Sequence, residues 1–277
     1  MPYRILLYIG SGLGLVLYRL PTRRKQIALK NIQLCFAGLG HQQQQAMLRA
    51  NFISMGIALM EVGMGWWWSQ KRLQRLVKFE GLDRLDILDQ QAVILLAVHH
   101  TTLEIGVAAL TSRIELDGMY RAHKNPVYEF IQGRGRLNHS VEGCTIFERN
   151  NMRGAIKSLK AKRKLWYLPD HDYGLGHGLF APLFGVQAAT VYTTARLAEK
   201  TKAAVVPVTC IRLEGSQGYQ FTVHPPLENF PVGDDLVDTT TINQKIEEMI
   251  DLKPQQYLWA HRRFKNRPAG EKDVYNF

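Results

Sequence analysis

Two residue types that can move protons stand five positions apart, directly after an apolar run. His99 and Glu104 belong to the segment VHHTTLE, and the residues before it, 92–98, carry no charge. A neutral imidazole can take a proton from a hydroxyl, and a carboxylate bonded to its other nitrogen fixes the tautomer and favours the imidazolium. The pair would therefore suit transfer of an acyl group to an alcohol without a covalent enzyme intermediate.

Whether the two side chains can meet depends on the elements that carry them. On a continuous helix, five residues turn about 500°, which leaves the side chains about 140° apart. The run AVILLAV at 92–98 is typical of a strand buried on both faces, and Thr101 or Thr102 is a favoured N-cap. We therefore expect His99 in a strand-to-helix turn and Glu104 in the first helical turn. Glu104 stands in apolar LEIGVAAL and needs a partner, for which His99 is the nearest candidate.

Spacing alone leaves alternatives open. A core histidine beside a solvent-facing glutamate gives the same pattern, and a single His-x4-Glu is a weak motif. The adjacent histidines His99 and His100 could also suggest a metal, but His-Glu-x-x-His is absent and neighbours at a strand end point to opposite sides. We expect no metal and no cofactor.

The rest of the chain alternates strands with helices. This predicts an α/β layered domain with a central, mostly buried β-sheet flanked by helices, formed by residues 26–277 as a single unit. The predicted helices are 22–75, one starting near 101 or 102, 126–133, 150–162, 190–200 and 241–252. The predicted strands are 92–98, 118–121, 145–148, 164–168, 203–212 and 219–224.

The N-terminal segment, residues 1–25, is predicted to associate with a membrane. Residues 5–18 are uncharged and a cluster of cations follows at 19–25, but the run is shorter than the ~20 residues that span a bilayer. The alternative is a helix packed on the protein's own core. The tryptophans at 66–68 likewise suit either a core or a membrane interface.

The charge of +11 and the pI of about 9.6 fit nucleic acid, an anionic membrane, or an acidic protein or phosphorylated substrate. No nucleic-acid motif is visible, and Gly-x-Ser-x-Gly, the nucleophile elbow of many hydrolases, is absent. The basic runs 160–164 and 261–267 could dock an acidic partner or could be solvated helix ends. The three cysteines lie far apart, so they predict neither a disulfide framework nor a zinc site.

An ordered set of motifs over nearly the whole chain resembles the bacterial lipid A acyltransferases, the late acyltransferases of lipopolysaccharide synthesis. Thr-Leu-Glu after the histidines and the loop at 169–174 look like the lauroyltransferase-type branch, whereas His100 departs from the aromatic residue expected there. The matching residues are Arg23, Arg24, Lys30, Asn31, 34–36, Glu61, 66–68, His99 and Glu104, Tyr120-Arg121, Asn125-Pro126, Arg149, PDHDYG at 169–174, PLFG at 182–185, Thr190, and WAHRRFK at 259–265.

The resemblance implies a reaction at the cytoplasmic face of the inner membrane. Acyl carrier protein would bring a fatty acyl thioester, and the acceptor would be the hydroxyl of a 3-hydroxyacyl chain on a Kdo-bearing lipid A precursor. His99 would be the general base and Glu104 would orient it and stabilise its charge. A glycerolipid acyltransferase using the same dyad is the alternative, although it would more often carry Asp at the position of Glu104 and lack the closing Trp-x-His-Arg-Arg.

Further side chains are candidates for substrate binding. Arg121, Arg149 and Arg153 could hold phosphate or sugar acid, because guanidinium groups suit bidentate anion contacts, and Arg121 could instead face the oxyanion. Asp170 and His171 follow a predicted buried strand, at the end where α/β folds bind ligands. Surface arginines and a structural turn are the corresponding alternatives.

Overall fold

The N-terminal quarter of the chain is helical. The structure is a computed structural model that describes residues 1–148 and 151–277. The first helices are α1 (Tyr3–Arg19), α2 (Arg23–Cys35), α3 (His41–Trp67) and α4 (Gln70–Gln74). The prediction of one continuous helix over 22–75 is therefore wrong, because this range forms the three helices α2, α3 and α4. It breaks before Gly40, which caps α3, and again at Trp68, whose backbone is extended.

Helix α1 packs against α3 through glycines. A Cβ on Gly14 would lie 2.3 Å from the carbonyl oxygen of Phe52, and one on Gly56 would lie 2.2 Å from that of Gly10. The two backbones can approach this closely only because these positions lack side chains. One face of α1 thus packs on the protein itself, while its other face exposes apolar side chains such as Tyr8 and Val16.

The strands after this region form the predicted central sheet. In the described part of the chain, seven of them form one sheet in the order β1-β9-β8-β2-β5-β3-β4, and β6 pairs with β7 in a separate hairpin. Neighbours in the large sheet run parallel except β8 and β9. The strands are β1 (Val77–Glu80), β2 (Val93–Leu96), β3 (Leu116–Tyr120), β4 (Ile146–Glu148), β5 (Lys164–Tyr167), β6 (Gly178–Leu183), β7 (Val186–Val191), β8 (Ala204–Arg212) and β9 (Tyr219–Val223).

Helices cover both faces of this sheet. Strand β2 shows the layering, because Ile94 and Leu96 belong to one apolar core and Val93 and Leu95 to the other. All four residues are fully buried, as predicted for an unbroken apolar run. The α/β prediction is therefore confirmed. The covering helices are α5 (Asp83–Ile87), α6 (Leu103–Thr111), α7 (Pro126–Leu137), α8 (Met152–Lys160), α9 (Thr193–Thr201) and α10 (Asp235–Asp251), with a 3-10 turn at Pro254–Gln256.

Two predicted helix starts are corrected. The helix predicted at 190–200 begins at Thr193, because Thr190 and Val191 complete β7 of a hairpin that the sequence did not reveal. The helix predicted at 241–252 begins at Asp235, where the side chain of Asp234 accepts hydrogen bonds from two backbone amides of the first turn.

By length and composition, α3 could cross a membrane, and α1 with α2 would pass the same test as one span bent by 91°. Within α3, 44% of the apolar window is buried against the rest of the protein. A core helix shows the same composition, so this property alone does not place α3 in a bilayer. The division at residue 25 stays a prediction, and that residue lies within α2.

Candidate functional site

The carboxyl ends of β2 and β5 bring a histidine and an aspartate together. The two strands are parallel neighbours, so the turns that follow them lie at the same edge of the sheet. His99 lies three residues beyond β2 and Asp170 three residues beyond β5. The backbone amide of His99 donates to Oδ2 of Asp170 at 2.9 Å, and its Nδ1 lies 2.7 Å from Oδ1. The carboxylate is fully buried, whereas 21% of the His99 side chain is exposed.

The state of Asp170 determines the tautomer of His99. Burial alone would raise the pKa of this carboxyl, but the charge and the two hydrogen bonds of His99 outweigh it and hold the pKa well below its usual range. An ionised carboxylate only accepts hydrogen bonds, so Nδ1 of His99 carries the proton. In the neutral form of the ring, Nε2 keeps its lone pair, which is the arrangement a general base requires.

His99 is one end of a stack of three imidazole rings. The rings of His99 and His171 lie 3.6 Å apart and 9° from parallel, and those of His171 and His261 lie 3.8 Å apart at 10°. Burial lowers the pKa of His171 to about 2 and that of His261 to about 4. His171 and His261 are therefore neutral near pH 7, and a positive charge on His99 would lie on the neutral aromatic face of His171.

His100, the adjacent histidine, has a different environment. Burial lowers the pKa of His100 to about 4, its side chain bonds to the backbone of Met249, and its Nε2 lacks a partner among the described residues. The side chains of His99 and His100 therefore point to different parts of the protein, as predicted for neighbouring residues at a strand end. The geometry favours His99 as the acting residue.

Helix α6 begins where the sequence predicts, although its cap differs from the expectation. Thr102 occupies the N-cap position, but its side chain makes no capping hydrogen bond. The hydroxyl donates instead to the carbonyl of Cys210 in β8, and the Thr101 hydroxyl bonds to Ser54 of α3 at 2.7 Å. These contacts hold the turn after His99 against two other elements.

The structure gives Glu104 a partner other than the expected one. Its carboxylate accepts from Nε1 of Trp66 at 2.8 Å and from Nε of Arg136 at 3.2 Å, with a further contact to a terminal nitrogen of Arg136. Within residues 1–148 and 151–277, no hydrogen bond joins Glu104 to His99. The expected pairing is corrected: the first turn of α6 faces Trp66 of α3 and Arg136 of α7, while β5 supplies the carboxylate for His99. The catalytic parts predicted for both residues stay predictions.

His99, Asp170 and His171 also have the composition of a metal site, since one ligand atom from each lies within 4.8 Å of the others. The two rings, however, are stacked nearly parallel. An ion bound in the plane of one imidazole would lie well out of the plane of the other, so the two lone pairs cannot converge on it. In this arrangement the cluster suits proton transfer better than metal binding.

The loop that carries Asp170 and His171 is fastened to the C-terminal block. Asp172 accepts from the backbone and side-chain nitrogens of Asn266 at 3.0 and 2.6 Å, and its own backbone amide lies 3.3 Å from Nε2 of His261. His261 was not among the predicted site residues. Its position in the motif WAHRRFK was the available signal, but this motif did not show that the ring would stack on His171.

Two of the three predicted arginines, Arg121 and Arg153, lie at the same edge of the sheet. Arg121 directly follows β3, and Arg153 lies in the first turn of α8 after β4; both are exposed. Arg149 lies outside the described residues. Arg121 follows β3, which is two strands from β2, and Arg153 follows β4, which is three strands from β2. Adjacent strands are about 4.8 Å apart, so both arginines lie to one side of His99 along this edge. Arg136, which approaches Glu104, had no signal in the sequence.

The two basic runs are largely engaged within the protein. Arg163 pairs with Asp117 at 2.6 Å and with Glu115 at 2.7 Å, and Lys164 pairs with Asp89 at 2.9 Å. In the second run, Arg263 is buried and donates to the Thr190 hydroxyl at 2.6 Å. Six of the eight lysines and arginines in these runs, with Arg262, Lys265 and Arg267 among them, have partners within the protein, which weakens the prediction that the runs dock a partner.

Known proteins are similar in sequence to this chain over nearly its whole length. The family model for the bacterial lipid A biosynthesis acyltransferase matches residues 1–266. The lipid A biosynthesis lauroyltransferase and palmitoleoyltransferase of Escherichia coli K12 are each 36% identical, over 99% of this chain and 90% of theirs. A lipid A biosynthesis acyltransferase of Haemophilus influenzae is 33% identical over 97% of this chain and 86% of its own.

Among solved structures, the crystal structure of a 1-acyl-sn-glycerophosphate acyltransferase from Thermotoga maritima covers 83% of this chain and 95% of its own. The TM-score is 0.38 and the sequence identity is 14%. A likeness of this size decides nothing about the chain.

Proposed function

This chain belongs to the bacterial lipid A biosynthesis acyltransferases, and from that premise we propose that it transfers a fatty acyl group from acyl carrier protein to a hydroxyl of a lipid A precursor. The acceptor hydroxyl is that of a 3-hydroxyacyl chain on a Kdo-bearing precursor. The observation that carries the mechanism is the partly exposed His99 ring with Nδ1 on a buried, ionised Asp170.

In this mechanism, Nε2 of His99 removes the proton of the acceptor hydroxyl as its oxygen attacks the thioester carbonyl. Collapse of the tetrahedral intermediate breaks the carbon–sulfur bond. The carrier thiolate leaves and takes the proton from the His99 imidazolium, which returns the ring to its starting state. The products are the ester and the free carrier thiol, and no covalent enzyme intermediate forms.

Two contacts of His99 and one more distant group support this role. Asp170 holds the proton on Nδ1 and stabilises the positive charge that the ring acquires, because two hydrogen bonds fix its carboxylate on His99. The neutral ring of His171 lies flat against His99 and limits its rotation. Glu104 would act one step away, by holding Arg136 and Trp66 at the turn of α6 that follows His99.

The partners and the location follow from the proposed reaction. The exposed Arg121 and Arg153, together with Arg149, would contact the phosphate or sugar acid of the precursor. The exposed apolar face of α1, flanked by cations at 19–25, would lie on the anionic cytoplasmic face of the inner membrane. Acyl carrier protein is acidic, which suits a chain with a net charge of +11.

The test is an in vitro assay with acyl carrier thioesters and a Kdo-bearing lipid A precursor in mixed micelles. We expect product from the wild-type protein and a loss of at least about 10³-fold in kcat for His99→Ala, in a protein that keeps the wild-type circular dichroism spectrum. The matched control is His41→Ala, an exposed histidine at the start of α3. Retained activity in His99→Ala would overturn the assignment of the base. Acylation of a glycerophosphate acceptor in place of the precursor would establish the glycerolipid alternative instead.

A further inference from the structure

Helix α7 presents its apolar side chains away from the protein. Val127, Phe130, Ile131 and Leu137 each expose between 39% and 66% of their surface. At 100° per residue, these four positions fall within an arc of about 120° on one side of the helix. A surface helix of a soluble protein has the opposite arrangement, with its apolar stripe against the core.

The inward side of α7 is small and polar. Gly135 is its one buried residue, and a Cβ there would lie 2.6 Å from the ring of Trp66. Arg136 reaches Glu104 from the same side, and the Tyr128 ring lies 6.2 Å from that of Trp66. Helix α7 is therefore docked firmly on α3 and α6, and its exposed stripe is not a face left over from loose packing.

Trp67, at the end of α3 that contacts α7, is exposed as well, and cations flank the apolar stripe of α7. Trp67 is 60% exposed and packs edge-on against Trp66 at 5.4 Å. Arg121 and Lys124 are exposed just before α7, and the guanidinium of Arg134 lies 5.4 Å from the centre of the Phe130 ring. The single acid between 121 and 139 is Glu129, which is held by the Tyr120 hydroxyl and the His123 amide.

We propose that the outward face of α7, with Trp67, is a second membrane-contact surface. It lies next to the site and contacts a bilayer that contains anionic phospholipids. Apolar side chains would enter the acyl boundary, the indole of Trp67 would lie at the headgroup level, and the flanking cations would meet lipid phosphates. An acidic protein would satisfy the cations but would leave the apolar stripe without a matching surface. One part of this inference, that the lipid acceptor lies beside Glu104, rests on the proposed function.

The first experiment measures binding of the full-length protein to vesicles of phosphatidylcholine with phosphatidylglycerol, by flotation. Phe130→Gln with Ile131→Gln keeps helix-forming residues at exposed positions, so we expect a folded protein whose partition falls about tenfold or more. The matched control is Leu236→Gln with Val237→Gln, two exposed apolar residues in the first turn of α10, which should bind as the wild type does. Unchanged binding in the α7 variant overturns the proposal.

A second measurement does not depend on weakening the contact. In a variant whose three free cysteines are replaced by alanine, Val127→Cys labelled with a polarity-sensitive fluorophore should shift to the blue when vesicles are added, whereas labelled Leu236→Cys should not. Equal responses at the two sites would contradict a specific α7 contact.

Activity in detergent micelles separates this proposal from the proposed function. Absence of acyl transfer by the wild type would refute the function and leave the vesicle result standing. Normal vesicle binding with a raised KM for the carrier thioester in the α7 variant would show that this face docks the acyl carrier, and would overturn the membrane contact.

Discussion

Nδ1 of His99 lies 2.7 Å from a carboxylate oxygen of Asp170, a residue 71 positions further along the chain. The partner is buried completely and receives a second hydrogen bond from the backbone amide of the same histidine. Because both bonds end on one carboxylate, the position of the ring and the position of its backbone are fixed together. In the proposed mechanism, the orienting role therefore belongs to the aspartate that follows β5.

Replacement of Asp170 by Asn tests that role. The amide can donate to Nδ1, which would place the ring proton on Nε2 and remove the lone pair that the hydroxyl requires. We expect kcat to fall by about 10³-fold with a smaller change in KM, by analogy with aspartates that orient a catalytic imidazole elsewhere. The control is Asp273→Asn, an exposed aspartate paired with Arg262. A loss of less than about threefold, in a protein with the wild-type circular dichroism spectrum, would show that Asp170 does not orient the base.

The error over the partner of His99 has a clear physical origin. An apolar run predicts a buried strand, and it did so correctly for β2 and β5. Periodicity carries no information about which strands become neighbours, and the adjacency of β2 and β5 is what brings Asp170 to His99. Glu104 was assigned because it is close in the sequence. Arg136 carries no signal in the sequence, because its approach to Glu104 depends on how α7 packs on α3.

The hairpin at Gly178–Val191 shows another limit. Its second strand is followed almost directly by α9, so the apolar residues and threonines on both sides of Val191 predict one helix. The turn between the strands has Phe184 and Gly185 with positive φ values of 50° and 73°. Gly185 was the local signal for this turn, because glycine adopts that conformation without strain.

The buried histidines predict how stability depends on pH. Burial lowers the pKa of His100 and His261 to about 4 and that of His171 to about 2, against 6.5 in an unfolded chain. Below pH 6.5 the unfolded state therefore binds protons that the folded state does not. The free energy of unfolding should fall as the pH drops from 6.5 towards 4, by up to about 1.4 kcal/mol per pH unit for each group.

Urea denaturation at pH 7.5, 6 and 5 measures this slope, and His171→Phe isolates one contribution. Phenylalanine keeps an aromatic ring in the stack but cannot bind a proton, so the slope should become shallower. His41→Gln, at an exposed position, should leave it unchanged. An unchanged or steeper slope in His171→Phe would contradict the assignment of His171 as a histidine held neutral by burial.

The close contact of α1 with α3 predicts opposite effects of one substitution at two glycines. In Gly56→Ala, the added Cβ would lie 2.2 Å from the Gly10 carbonyl and 2.6 Å from the Gly14 Cα. Since backbone atoms block it, we expect a loss of about 2 kcal/mol or more and faster proteolysis of residues 1–22. Gly12→Ala, also helical but exposed and without neighbours within 4 Å, should stabilise by up to about 1 kcal/mol. Equal melting temperatures for the two variants would refute this interface.

The carboxylate of Glu104 bonds to Arg136, and a double-mutant cycle shows whether it acts through that arginine or directly on His99. If it acts through Arg136, Glu104→Gln and Arg136→Gln should each reduce kcat/KM in detergent micelles by about 10²-fold, and the double variant should lose little more than either single variant. Exposed Lys157→Gln serves as the control and should retain full activity. If Glu104 instead orients His99, as the sequence spacing predicts, Arg136→Gln should have a small effect, and the losses should be non-additive between Glu104→Gln and His99→Ala.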